Sequence, residues 1–135
     1  MTDSGFHAGF RAEVLAVFKS EACSTGVRAA PSCSVTVLGD GVNGTVITLR
    51  PDLGLVTVDA TSQGNTAVRA GPLPAANPNG QWSIHAIVDH SIIEVIVNNA
   101  TAFVVYAAPE STCPGQVLLS GDGQLDIWTL AAANN

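Results

Sequence analysis

The run Trp82-Ser-Ile-His-Ala-Ile-Val-Asp-His-Ser-Ile-Ile-Glu-Val-Ile-Val-Asn98 decides how this chain folds. Two apolar-rich segments flank a polar corner, Asp89-His90-Ser91, and a carboxylate, Glu94, lies inside the second segment. A charge within a strand-like segment costs free energy unless it is paired or reaches water. The run therefore predicts a β-hairpin, Trp82 to Val88 and Ile92 to Val97, carrying polar groups that the fold must accommodate.

Working outward, Asn98-Asn99 fits a two-residue turn into a third strand, Ala100 to Ala107, because Asn tolerates left-handed backbone. Gln116 to Ser120, the turn Gly121-Asp-Gly123 and Gln124 to Leu130 close the chain. Upstream, Gly9 to Ser20 alternates. Phe10, Ala12, Val14, Ala16 and Phe18 fall on one face, and Arg11, Glu13, Leu15, Val17 and Lys19 on the other. A short amphipathic helix competes here, since Ala, Glu, Leu and Lys are helix formers, but Gly9 and the β-branched residues favour a strand.

Cys33 to Leu38, Asn43 to Leu49 and Leu55 to Ala60 continue as short strands. They are separated by Gly39-Asp-Gly41 and Arg50-Pro-Asp-Leu-Gly54, both turn-forming. Thr61 to Gly80, with Gly71-Pro-Leu-Pro74 and Pro78-Asn-Gly80, reads as a long surface connection from one sheet to the other. The pattern predicts an all-β chain, a two-sheet antiparallel β-sandwich, in one domain over residues 1–135 with residues 1–8 and 131–135 loosely ordered.

Composition narrows the function. Net charge is −6, and the five basic residues, Arg11, Lys19, Arg28, Arg50 and Arg69, are scattered. A nucleic-acid footprint or a polybasic membrane patch needs clustered cations, so neither partner is expected. No apolar run approaches membrane-spanning length, so no membrane insertion is expected. Met1-Thr-Asp-Ser-Gly5 shows no basic region followed by an apolar core. The chain is therefore expected to be cytoplasmic or secreted without a leader, unless a leader has been trimmed from it.

Three cysteines, Cys23, Cys33 and Cys113, cannot all pair within one chain. Cys23 and Cys33 close a short loop if Arg28 to Ser32 turns back; three reduced thiols are the equal alternative. There is no Cys-x-x-Cys, and His7, His85 and His90 lack metal-ligand spacing with the cysteines, so no zinc is expected. Asp-rich loops that would suit calcium are absent too, and no cofactor is expected. Two N-glycosylation sequons, Asn43-Gly-Thr45 and Asn99-Ala-Thr101, are of a length that arises often by chance.

The order of these pieces resembles the C-terminal β-sandwich module of glycoside hydrolase family 32, the invertase, inulinase and levanase family. Val88-Asp-His-Ser-Ile-Ile-Glu-Val95 is similar to that module's Val-Asp-His/Arg-Ser-x-x-Glu signature. Leu55-Val-Thr-Val-Asp-Ala-Thr-Ser-Gln-Gly64, Ala102 to Pro109 and Leu125-Asp-Ile-Trp-Thr-Leu130 resemble its flanking strands, so the likeness runs from about Gly9 to Leu130. In that family the chemistry belongs to an N-terminal five-bladed propeller with an Asn-Asp-Pro-Asn-Gly nucleophile motif. Asn77-Pro-Asn-Gly80 lacks the Asp and reads as a turn. The resemblance thus implies a module without the catalytic machinery, and no enzyme activity.

Asp89 and Glu94 are the carboxyl pair a glycosidase reading would use. A structural role is preferred for them. Asp89 and Ser91 are expected to bond backbone N–H groups at the corner, and Glu94 to bond a neighbouring strand or loop. A triad of Ser91, His90 and Asp89 fails because adjacent strand residues project to opposite faces. Trp82 and Trp128 are the only indoles. Core packing is the alternative for each, but Trp82 follows Pro78-Asn-Gly-Gln81 and is placed at a rim beside Asn79 and Gln81.

The chain is accordingly expected to be a non-catalytic, lectin-like module that binds a glycan or oligosaccharide, through Trp82, Asn79, Gln81, Asp89, His90 and Glu94. The alternatives are a structural or oligomerisation module without a ligand, and a fragment of a larger fructan-hydrolysing enzyme. With 47% apolar residues and few charges, a homo-oligomer is expected.

Overall fold

The alternation in the first strand is realised: Ala12, Val14, Ala16 and Phe18 are fully buried along β1 (Arg11–Lys19), while Arg11, Glu13, Leu15 and Val17 between them keep partial exposure. The period of two, not a helical period, sets this face. The computed structural model describes residues 11–23, 33–110 and 113–130, without the side chains of residues 129 and 130. Phe10, the turn at Arg28 to Ser32, and residues 1–8 and 131–135 lie outside the described residues.

A four-residue helix α1 (Ser20–Cys23) follows β1. Then come β2 (Cys33–Gly39), β3 (Thr45–Arg50) and β4 (Leu55–Asp59), a 3-10 turn at Thr61–Gln63, and β5 (Arg69–Pro72). The chain continues through β6 (Gln81–Asp89), β7 (Ile92–Val97), β8 (Thr101–Tyr106), β9 (Gln116–Ser120) and β10 (Gly123–Leu130). The first sheet has the order β10-β1-β6-β7-β8 and the second β5-β4-β3-β2-β9, with antiparallel neighbours throughout. Their inner faces meet in one core of Val, Ile, Leu and Ala with Phe18 and Trp82. This is the expected two-sheet sandwich. Among the described residues no helix is long and apolar enough to cross a membrane.

Three local features add to or differ from the sequence reading. The connection from Thr61 to Gly80 does pass between the sheets, but it also contributes β5, the outer strand of the second sheet beside β4. Pro72 ends this strand at a sheet edge, where a missing N–H breaks no ladder. The turn Gly121-Asp-Gly123 forms and carries the chain from β9 in the second sheet to β10 in the first. Gly123 sits opposite Phe18, and a Cβ there would come within 2.8 Å of its ring, so the crossing depends on glycine. The Asn98-Asn99 turn forms with φ of 47° and 53° and an Ala100 N–H to Val97 carbonyl bond of 3.0 Å, but the register pairs Val97 with Thr101, so three residues connect the strands.

At the end of β2 the register slips between Thr36 and Gly39, and Val37 and Leu38 both turn inward. Such a bulge frees backbone groups that must find other partners. The Gln63 amide donates to the Leu38 carbonyl at 2.6 Å, and its own oxygen accepts from the Thr45 hydroxyl at 2.8 Å. The Cys113 thiol donates to the same Leu38 carbonyl at 3.1 Å. Gln63 and Thr45 are buried, and no buried side-chain nitrogen or oxygen among the described residues lacks a partner.

Cys23 and Cys33 form a disulfide, which the cysteine count had left open, and Cys113 is a buried free thiol. The bridge joins the end of α1 to the start of β2, and so ties the first sheet to the second. Cross-linking residues separated by ten positions restricts the unfolded chain. Reduction, or the paired change Cys23→Ser and Cys33→Ser, is therefore expected to cost about 2–3 kcal/mol. Thermal melts with and without reductant measure it; coincident curves would show that the bridge adds nothing.

Candidate functional site

The outer face of the first sheet collects most of the polar side chains that the hairpin pattern left outside. From β1 it receives Glu13, Leu15, Val17 and Lys19; from β6, Gln81, Ser83, His85, Ile87 and Asp89; from β10, Gln124, Asp126 and Trp128. The register sets them in rows: Trp128, Glu13 and Ile87; Asp126, Leu15 and His85; Gln124, Val17 and Ser83; then Lys19 and Gln81. Side chains on one face of adjacent strands touch in this way.

One end of this face holds a cleft of about 270 Å³ lined by Val17, Lys19, Gln81, Asp122, Gly123 and Gln124. Its shape follows from two turns. The Asn77 side-chain oxygen accepts from the N–H groups of Asn79 and Gln81, both at 3.0 Å, and its carbonyl accepts from Gly80. Asn77-Pro-Asn-Gly80 is thus a tight turn that starts β6 and aims Gln81 into the cleft. The Ser20 N–H to Gly80 carbonyl bond of 2.8 Å brings the end of β1, with Lys19, alongside. An amide pair, an ammonium and a carboxylate supply donors and acceptors at one spot.

In the next rows the Glu13 carboxylate lies 2.6 Å from His85 Nε2, each side chain about a third exposed. Beside them Trp128 is 48% exposed. Four residues along β10 separate it from Gln124, roughly 13 Å of strand. The arrangement therefore joins an open indole, a carboxylate–imidazole pair and a polar cleft on one surface.

The residues nominated from the sequence do not form one cluster. Gln81 lines the cleft, and Asn79 is exposed on the turn beside it. Asp89 and His90 lie at the opposite end of β6, about 26 Å away along the strand. Glu94 is exposed on the outer face of β7, opposite Ile87, and its side chain makes no hydrogen bond among the described residues, so the expected side-chain bond to a neighbouring strand is not found.

Trp82 needs correcting. It is only 8% exposed, pairs with Phe18 across the ladder, and donates its indole N–H to the Pro74 carbonyl at 2.8 Å. It belongs to the core and presents no ring face to a ligand. Its parity with Ile84, Ala86 and Val88 explains this. The exposed indole is Trp128, which shares parity with the polar Gln124 and Asp126; that alternation was the available signal.

The corner is also built differently from the expectation. His90 and Ser91 bridge the paired Asp89 and Ile92, with His90 in left-handed backbone at φ 57°. Instead of backbone N–H groups, the Asp89 carboxylate accepts from Arg11 Nε at 3.1 Å and lies 2.8 Å from His90 Nδ1. The bond with His90, followed by the charge of Arg11, holds its pKa below the usual 3.8. A carboxyl held in its ionised form makes a poor general acid, which weighs against a catalytic pair with Glu94.

Asp40 (N–H groups of Asn43 and Val42), Asp52 (Arg50) and Asp59 (the Thr61 hydroxyl and N–H) are likewise lowered below 3.8. A carboxylate whose folded pKa is depressed adds stability above its unfolded value and loses it as pH falls through the folded one. The melting temperature is therefore expected to hold down to about pH 4 and to fall modestly below it. Melts across pH 2 to 7 test this; a decline already under way well above pH 4 would contradict it.

The fold is a two-sheet antiparallel β-sandwich, and among the described residues no group of three His, Cys, Asp or Glu could hold a metal ion. The family described as glycosyl hydrolases family 32 C terminal matches residues 5–132, and the chain belongs to that family.

No curated protein matches the chain in sequence. Among solved structures, exo-inulinase from Aspergillus awamori superposes with TM-score 0.78 at 17% identity over 98% of this chain and 27% of that one. Sucrose-6-phosphate hydrolase from Lactobacillus gasseri gives 0.65 at 16%, over 97% of this chain and 27% of that one. Sheep galectin-11, in complex with glycerol, gives 0.62 at 13%, over 94% of this chain and 95% of that one. The chain spans about a quarter of the two enzymes. Only the C-terminal β-sandwich is matched, and the catalytic propeller is not part of these 135 residues.

Proposed function

We propose that the chain is a non-catalytic, lectin-like carbohydrate-binding module whose ligand lies along the outer face of the first sheet. The observation that carries this reading is the exposed Trp128 indole on the same surface as the Lys19–Gln81–Asp122–Gln124 cleft. A sugar ring offers apolar C–H groups on one side and hydroxyls around its edge. The indole suits the first, and the amides and carboxylates suit the second. Asn79 borders the cleft. Asp89, His90 and Glu94 extend the polar surface for a longer oligosaccharide, and Trp82 supports it from beneath. The glycerol complex of the similarly folded galectin-11 is support by analogy, since glycerol shares a sugar's vicinal hydroxyls.

Binding on so open a face is weak per site and depends on stacking. A glycan array with the unaltered protein and Trp128→Ala tests the reading. The expected result is a set of bound glycans that disappears in the variant, without calcium dependence and with an unchanged melting temperature. An empty array, or binding that survives in the variant, would count against it.

A second reading, a self-association module, is favoured by one observation. Ile92, Val104 and Tyr106 are 50%, 68% and 57% exposed and adjoin on β7 and the outer strand β8. Such a patch on a domain is covered by a second copy or by another domain. The low coverage of the family 32 enzymes supports the further alternative of a piece of a fructan-hydrolysing enzyme. Sedimentation distinguishes the self-association reading: a strict monomer at high micromolar concentration would remove it.

A further inference from the structure

We propose that Asn99 carries an N-linked oligosaccharide, added in an oxidising secretory compartment. Two independent features meet here. The first is the sequon Asn99-Ala-Thr101 at the tip of the β7–β8 hairpin. The turn uses its two asparagines differently. The Asn98 side-chain oxygen accepts from the Ser83 N–H and hydroxyl, and its amide donates to the carbonyls of Ala75 and Gln81. The Asn99 side chain is exposed and makes no hydrogen bond among the described residues. Left-handed backbone explains an Asn at each position, but not why only the second is left open with a Thr two residues on. A glycan there extends from a hairpin tip into solvent and displaces nothing in the core.

The second feature is the Cys23–Cys33 disulfide, which persists where thiols are oxidised, the same setting in which sequons are modified. The remaining thiol, Cys113, is buried and donates to the carbonyls of Leu38 and Gly39, out of reach of mispairing. The donor is an oligosaccharide on a lipid pyrophosphate. Asn99 Nδ2 forms the bond to the anomeric carbon and gives up one proton, while the sugar–phosphate C–O bond breaks and the lipid pyrophosphate leaves.

The protein as its own cells make it provides the test. No Lys or Arg follows Arg69, so trypsin separates the fragment with Asn43 from the one with Asn99. Treatment with an amidase that releases N-linked glycans is expected to convert residue 99 to Asp, and the protein is expected to lose one glycan in Asn99→Gln. Recovery of Asn99 unmodified, a glycan on Asn43 alone, or Cys23 and Cys33 alkylated as free thiols before any reduction would each overturn the proposal.

Discussion

Trp82→Ala is expected to lower stability by about 3–5 kcal/mol, the range for deleting a large aromatic from a packed core. The side chain is 8% exposed, pairs with Phe18 across the ladder and belongs to the core between the sheets. Its loss leaves a cavity and removes the donor from the Pro74 carbonyl. The melting temperature should fall by on the order of 10 °C or more. Trp82→Phe retains most of the apolar volume and loses the hydrogen bond, so it should lie between the two. Any glycan binding should persist in whatever fraction stays folded. Urea unfolding of the three proteins measures the series, and an alanine variant as stable as the parent would place the ring outside the core.

Gln63→Leu should be the next most damaging change. It keeps the size of the side chain but removes both halves of the bridge from Thr45 to Leu38. The Leu38 carbonyl belongs to a bulge and has no ladder partner, leaving only the Cys113 thiol, a weak donor. The Thr45 hydroxyl, fully buried, would lose its acceptor. Each unsatisfied buried group costs about 1–3 kcal/mol, so a loss of about 2–4 kcal/mol is expected. Adding Thr45→Val should restore part of it, because the hydroxyl would no longer need a partner. A double variant no better than Gln63→Leu would show that Thr45 is not coupled to it.

Much of the fold was legible because it depends on parity. Alternation along β1 and β6 fixes which residues meet in the core, and the Asn98-Asn99 and Asp89-His90-Ser91 turns fix the meander. What was not legible depends on partners distant in sequence. The bulge at Leu38 is stabilised from Gln63, 25 positions away, and no local pattern marks it. The outer strand β5, Arg69-Ala-Gly-Pro72, carries turn-forming residues and pairs only on one side. The crossing at Gly121 to Gly123 looks like a hairpin turn until the sheet assignments are known.

The candidate site was half legible. Gln81 and Asn79 stand out in their loop, but the rim placement of Trp82 follows only from its adjoining them in sequence. Adjacent strand residues point to opposite faces, so the neighbour of an outward Gln81 must point inward. Trp128, more than forty positions away, reaches the same surface only because β10 pairs with β1, and β1 with β6. Asp89, His90 and Glu94 drew notice as a family signature; the structure gives Asp89 a local role, anchoring Arg11 and His90.

Backbone and indole N–H spectra of isotopically labelled protein, titrated with the glycan bound best on an array, test the proposed carbohydrate-binding face most directly. The expected result is that the Trp128 indole signal moves together with the amides of Lys19, Gln81, Asp122 and Gln124, while the Trp82 indole stays fixed on Pro74. A Trp128 signal that does not move while the bound glycan shifts resonances on the second sheet, or shifts none, would contradict it.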